Sequence, residues 1–364
     1  MKRQMELETL LVRSGVNSDK QTTGALVSPI YLSTTYQHPE FGKSTGYDYT
    51  RTKNPTRSQL EETLANIDGA HFALATSSGM SAIVLAMEIL PKGAKILACR
   101  DLYGGAFRWF HQKEEEGRFS FTYVNSQEDM ILELTNGYDA LYVETPTNPL
   151  MIEFDIALIS KLAHQKGIKV IVDNTFYTPI YQQPILEGAD IVVYSATKYL
   201  SGHNDVLAGV VVTDNEEIYQ QLFYNLNTTG ATLSPFDSYL LMRGLKTLAI
   251  RMERSTQNAQ AIVEFLCHSD HVEKVYYTGK GGMISFCVAD EKRIPSIINK
   301  LKLITFAESL GGVESLITYP ATQTHADIPQ KIRESYGLTN NLLRLSIGIE
   351  GISDLIEDLK QALS

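Results

Sequence analysis

A lysine closes the stretch YSATK, residues 194–198, directly after the apolar run IVV. By position alone Lys198 is either a solvated strand end or a partly desolvated amine, held at lowered pKa for Schiff-base chemistry. Asp173 follows another apolar run, VIV. A carboxylate there is costly to bury unless a partner such as a protonated pyridine nitrogen holds its charge. The segment SSGMSA, residues 77–82, places two serines and a glycine where an amphipathic helical pattern begins. Free backbone N–H groups and the helix dipole attract a phosphate at such a point. Singly, each feature has an ordinary reading: the serines and glycine as a helix cap, the aspartate as a strand end. In conjunction with Tyr103 of DLYGG, which can cover a ring, they describe one site. It has a Schiff-base lysine, an acid for a pyridinium, a phosphate cradle and a stacking aromatic.

Such residues need a scaffold that brings strand ends together. Short apolar runs at 72–75, 95–98, 121–124, 140–143, 170–172, 191–193 and 208–212 alternate with helical patterns. That alternation predicts an α/β fold with a mostly parallel sheet. In DIALISKLAHQKG, Asp155 is an N-cap, Ile156, Ile159, Leu162 and Ala163 form an apolar stripe, and Gly167 ends the helix. Ligands of open parallel sheets bind beyond the carboxyl ends of the strands. The motifs SSGMSA, ETPTNP, DNTF and YSATK all follow such runs. The first fifty residues differ: they lack strong periodicity and are rich in Tyr, Thr, Ser and Gly. They read as an arm, residues 1–48, disordered or packed on something else, with the aromatics favouring packing. A large domain is expected at 49–243 and a smaller α/β C-terminal domain at 244–364. The stretch from SPFDSY to VEFL reads as one long connecting helix, with Leu241, Leu245, Leu248 and Met252 on one stripe.

The chain has 364 residues, 43% hydrophobic and 20% charged, the composition of a globular protein with a sizeable core. A net charge of -10 argues against a general affinity for nucleic acid or an anionic membrane. Cys99, Cys267 and Cys287 have neither metal-ligand nor disulfide-framework spacing and read as reduced thiols. With no apolar leader and no apolar run of about 18 residues, the expected location is cytoplasmic. Lys302, Lys331 and Arg333 read as solvated charges, and GKGG at 279–282 as a turn between strands, since the Walker spacing is absent. His203 and His325 read as structural hydrogen-bonding residues and Trp109 as packing.

The order YDYTRTKNPTR, SSGMSA, DLYGG, ETPTNP, VDNT, YSATKYLSGH, FDSYLLMRGLKTL, AESLGGVESL and LLRLSIGIE covers nearly the whole chain. It resembles the Cys/Met metabolism enzymes of the fold-type I pyridoxal phosphate superfamily, which include cystathionine gamma-synthases, cystathionine lyases, methionine gamma-lyases and homoserine sulfhydrylases. The resemblance implies a seven-stranded, mostly parallel sheet in the large domain, pyridoxal 5'-phosphate as cofactor and amino-acid substrates. Lys198 would form the Schiff base, Asp173 would pair with the pyridine nitrogen, and Tyr103 would stack on the ring and exchange protons with substrate. Gly79, Met80, Ser195 and Thr197 would hold the phosphate. Tyr49 and Arg51 would join them from a neighbouring subunit of a homotetramer, a dimer of dimers, giving the arm its reason. Asn148, Ser309 and Arg344 would lie near the substrate, with Arg344 clamping its alpha-carboxylate, and Thr324 at the same edge.

The reaction rests on finer resemblances. Glu308 stands where gamma-acting members often have a glutamate, suited to an incoming amino acid's ammonium group, and Gly105 stands where methionine gamma-lyases have a cysteine. Arg108 fits the synthase pattern and could meet an acidic leaving group. The stretches ESLITYPATQTHADIP and KVYYTGKGGMISF are similar to Firmicute-type cystathionine gamma-synthases, a lineage whose members also act as acetylhomoserine sulfhydrylases. The expected reaction is gamma-replacement on an O-acylhomoserine by cysteine, giving cystathionine. Gram-positive beta-lyases share Glu308, so a cystathionine beta- or gamma-lyase is the alternative, and a non-catalytic cofactor-binding regulator the reading from another class.

Overall fold

All seven expected apolar runs form strands: β1 (Phe72–Thr76), β2 (Ala94–Cys99), β3 (Phe119–Val124), β4 (Ala140–Glu144), β5 (Lys169–Asp173), β6 (Ile191–Ser195) and β7 (Gly209–Thr213). The structure, a computed structural model, describes residues 5–16, 23–135 and 137–364. The strands make one sheet in the order β1-β7-β6-β5-β4-β2-β3. Pairs within β6-β5-β4-β2-β3 are parallel, while β7 runs antiparallel to both β6 and β1. Continuous apolar sequences suit this sheet because helices cover both faces. Ile96, Leu97, Leu141, Val143, Val170, Ile171, Val192 and Val193 are all fully buried.

The crossovers follow local rules. Asp155 accepts from Leu158 N and starts the helix Ile156–His164, and Gly167 takes φ +73° after it. Ser78 caps the helix Gly79–Glu88 by accepting from Ser81 N.

A second sheet forms from β8 (Val272–Tyr276), β9 (Met283–Val288), β10 (Thr305–Phe306), β11 (Leu316–Thr318) and β12 (Leu342–Ser346), in the order β10-β11-β12-β9-β8. Its own core includes Ile284, Phe286, Leu343, Leu345 and Leu359. Residues 279–282 connect β8 to its antiparallel neighbour β9, as a turn should.

The connecting helix differs from expectation. It is two helices, Pro235–Leu245 and Leu248–Cys267. Thr247 leaves helical geometry at φ -113°, ψ 7°, and the Gly244 carbonyl is taken by Thr247 Oγ1 at 3.2 Å and Arg251 Nη2 at 2.9 Å. Side chains thus replace the helical bonds that continuity would require. Leu241, Leu245, Leu248 and Met252 are still all buried. The second helix serves both cores, Leu248 and Met252 in the first, Ile262 and Leu266 in the second.

Within the described part of the arm, the helix Leu7–Val12 buries Leu11, whereas Leu26, Val27, Leu32 and Phe41 stand exposed. Arg333 is a correction: it is buried, with Nε donating to the Ile328 carbonyl at 3.2 Å. Its place beneath the 320–329 loop could not be read from charge alone. Among the described residues, no helix is long and apolar enough to cross a membrane.

Candidate active site

The carboxyl ends of β4, β5 and β6 lie side by side, with Glu144 in register with Asp173 and Asp173 with Val193. Beyond them opens a cavity of about 250 Å³, closed on its far side by residues of the second sheet and its loops. Lys198, three residues past β6, Asp173, Ser195 and Thr197 line it from the large sheet. Gly79, Met80 and Tyr103 line it from two helix N-termini, and Asn148 from the ETPTNP loop. Glu308, Ser309, Thr324 and Arg344 complete it from the C-terminal region.

Lys198 Nζ donates to Ser309 Oγ at 3.0 Å. Burial, reinforced by the nearby Arg344 charge and opposed by Glu308, lowers its pKa to about 8. About a tenth of the amine is therefore neutral and nucleophilic at pH 7, far more than for an ordinary lysine. Ser309 is held at φ 121°, a left-handed conformation unusual for a residue with a side chain, and its carbonyl accepts from Arg344 Nη2 at 3.2 Å.

Asp173 is oriented by Thr175, whose N–H and hydroxyl reach Oδ1 at 3.0 and 2.5 Å. Thr175 Oγ1 in turn accepts from Ser195 N at 2.9 Å, which ties β5 to β6. Among the described residues Oδ2 has one distant partner, Tyr142 OH at 3.5 Å. Burial raises the Asp173 carboxyl, so it wants a cation at Oδ2.

Arg344 sits in the middle of β12, 2% exposed. Nη1 donates to Asn148 Oδ1 at 2.8 Å and Nη2 to Thr318 Oγ1 at 3.2 Å. Nε has no partner among the described residues, and burial lowers the guanidinium to about 10. A buried guanidinium short of acceptors and without a carboxylate is ready for an anionic ligand.

Next to it, His325 is fully buried, with Nε2 against the carbonyls of Leu102 and Asn148 at 3.1 and 3.0 Å. Those acceptors place its proton on Nε2, leaving Nδ1 to accept from Thr324 Oγ1 at 2.8 Å. Burial and the Arg344 charge lower its pKa to about 4. It is a structural link, as is His203 on the Ser201 carbonyl at 2.7 Å.

A pyridoxal phosphate fits these residues. The helix N-terminus at Gly79 meets Ser195 so closely that a Cβ on Gly79 would lie 2.7 Å from Ser195 Cβ. Bare N–H groups and hydroxyls, without a side chain in the way, make an anion cradle. Asp173 Oδ2 can meet a pyridinium, and the Lys198 amine stands in the same cavity.

The sequence of residues 8–364 matches the family described as Cys/Met metabolism PLP-dependent enzyme. The chain belongs to this family. It is a pyridoxal phosphate-dependent enzyme of transsulfuration. It is 50% identical over 359 residues, 98% of this chain and 96% of the relative, to the cystathionine gamma-synthase/O-acetylhomoserine (thiol)-lyase of Bacillus subtilis. It is 43% identical over 377 residues, 99% of each chain, to the cystathionine gamma-lyase of the same organism. Its fold matches the crystal structure of cystathionine gamma synthase from Xanthomonas oryzae pv. oryzae in complex with aminoacrylate and cysteine. That match has TM-score 0.96 and 38% identity, covering 99% of this chain and 98% of the other.

Three expected site residues lie elsewhere. Arg108 does not line the cavity; it is exposed and ion-paired with Asp327. Tyr49 and Arg51 do not line it either: Arg51 packs on the Tyr49 ring at 5.5 Å and donates to Asn227 Oδ1 at 3.3 Å. Conversely, Glu144 and Thr175 line the cavity without having been singled out. Both stand in quoted motifs, ETPTNP and VDNT, one at a strand end and one two residues past it, and strand-end position was the available signal.

Proposed function

We propose that the enzyme performs gamma-replacement: an O-acylhomoserine loses its acyl group as a carboxylic acid, and the sulfur of cysteine takes its place on the gamma carbon, giving cystathionine. The observation that supports this most is that the cavity offers both a buried guanidinium, Arg344, and an exposed carboxylate, Glu308. The guanidinium suits the alpha-carboxylate of the donor, the carboxylate the ammonium group of a second amino acid. The likeness to the Bacillus subtilis gamma-synthase and to a synthase structure that contains cysteine agrees with it.

Pyridoxal phosphate supplies the electron sink for charge developing beside the amino group of its substrate. In this reading Lys198 would hold the cofactor, and its amine would move protons at the alpha and beta carbons of the substrate. Its lowered pKa suits that task. Asp173 keeps the pyridine nitrogen protonated. Gly79, Met80, Ser195 and Thr197 hold the phosphate, and Tyr103 covers the ring and exchanges protons with substrate. Arg344, oriented by Asn148 and Ser309, fixes the donor. Thr324, its hydroxyl proton committed to His325, offers lone pairs at the same edge. Arg108 lies outside the cavity, and to meet an acidic leaving group it would have to give up Asp327 and turn inward. Tyr49 and Arg51 serve the phosphate of a second copy, because in their own chain they stand outside the cavity.

The deciding experiment is a steady-state comparison of acetyl-, succinyl- and phosphorylhomoserine with cysteine or sulfide, beside cystathionine alone. Cystathionine formation from one donor and cysteine is the expected dominant activity. Faster release of pyruvate or 2-oxobutanoate from cystathionine would replace this reading with a beta- or gamma-lyase.

A further inference from the structure

Glu144 ends β4 directly beside Asp173, with 6% of its surface exposed, and its side chain lines the cavity. Two neighbouring buried carboxyls are costly unless one of them is neutral or its charge is paired. Burial and then the Asp173 charge raise the Glu144 carboxyl well above the usual range. Its Oε2 accepts the backbone N–H of Tyr103 at 2.9 Å, across 41 residues of sequence. Tyr103 opens the helix Gly104–Glu115, and no side chain of its own caps that helix.

The turn carrying Tyr103 is tightly confined on its other sides. A Cβ on Gly104 would lie 2.0 Å from the Thr324 carbonyl oxygen. A Cβ on Gly105 would lie 2.5 Å from the Tyr103 ring edge and 3.1 Å from Met80 Sδ. His325 Nε2 holds the Leu102 carbonyl at 3.1 Å. The ring itself is 40% exposed, so little packing fixes it, and its direction is set through the backbone.

We propose that Glu144 is a positioning residue: its Oε2 anchors the Tyr103 backbone and so keeps the phenol ring over the cofactor site. An uncharged acceptor is enough for this, and it is the better choice beside Asp173, whose own charge is needed for the pyridinium. The inference rests on the reading of Tyr103 as the ring that covers the cofactor.

The test is the dissociation constant of pyridoxal phosphate from the apoprotein, read by its absorbance, for Glu144→Gln and Glu144→Ala, each alone and combined with Tyr103→Ala. Glu144→Gln keeps a carbonyl acceptor and stays within about threefold of the wild type, while Glu144→Ala weakens binding about tenfold, the effect of one lost buried hydrogen bond. With Tyr103→Ala present, Glu144→Ala adds nothing. If Glu144→Ala does not fold, Glu144→Met, which fills the space but has no such acceptor, takes its place. Equal weakening by Gln and Ala, or the same loss from Glu144→Ala with and without Tyr103, overturns the proposal. If Tyr103→Ala alone leaves affinity unchanged, the underlying role of Tyr103 fails first, and that result is distinct from the other two.

Discussion

The floor and the mouth of the cavity obey different physics. On the floor, Asp173, Glu144 and Arg344 are buried and Lys198 nearly so, their pKa values are displaced by burial, and each is held by hydrogen bonds from a different element. At the mouth, Glu308 and Tyr103 are exposed, and outside the cavity Arg108 pairs with a carboxylate that is itself in solvent. A charge without water is strongly coupled to whatever ligand replaces that water, whereas a solvated charge contributes little until a substrate covers it. The floor is therefore suited to the chemistry common to the whole family. The mouth is suited to choosing among its reactions.

That contrast breaks most sharply if floor and mouth come from different chains. Arg51→Ala and Lys198→Ala are each expected to be inactive, yet mixing them under conditions of subunit exchange restores part of the activity, since a hybrid dimer holds one site with neither defect. Proven exchange without recovery counts against a site shared between subunits.

A second test sets the buried cation of the cavity against its exposed carboxylate. Arg344→Ala impairs every reaction of the enzyme, with kcat/KM falling by about 2 to 5 kcal/mol in transition-state free energy, as for a truncated buried charge pair. Glu308→Ala lowers cystathionine formation much more than the cysteine-free elimination that yields 2-oxobutanoate, because only the former needs the acceptor's ammonium held. Both rates are measured on one preparation with matched cofactor content. Equal losses in the two reactions would remove the acceptor role from Glu308.

The smallest effect belongs to the buried His325. His325 has its pKa lowered from 6.5 to about 4, so between these values the unfolded chain binds a proton that the folded one does not. Stability therefore falls as pH drops through this window, and the part due to His325 amounts to about 1 kcal/mol between pH 7 and about pH 5.5. Urea unfolding of the wild type and His325→Asn at both pH values checks this. Their difference in stability shrinks by that amount at the lower pH, and a difference independent of pH would mean that His325 is charged when folded.

Much of the fold was legible because its signals are local. Apolar runs such as ALYV and IVV must be buried on both faces, Asp155 and Ser78 cap helices with their own side chains, and Gly167 takes a backbone angle that other residues avoid. Lys198 and Asp173 could be singled out for the same reason, since each follows a buried strand. The long helix was misread because the apolar stripe continues across residues 246–247 while the hydrogen bonds do not. Arg251, which takes over the Gly244 carbonyl, gives no local sign of that role.

By itself, then, the sequence determined the order of strands and helices and which strand ends carry reactive groups, because sterics, capping and burial act within a few residues. Tertiary structure alone decided which side chains face one another. Arg344 meets Asn148 across 196 positions and Lys198 meets Ser309 across 111. Arg344 lines the cavity while Arg108 pairs with Asp327 outside it, although both are arginines in family-like motifs. The physical reason is that desolvation and hydrogen-bond partnership are properties of a place in the folded chain, and residues far apart in sequence build that place.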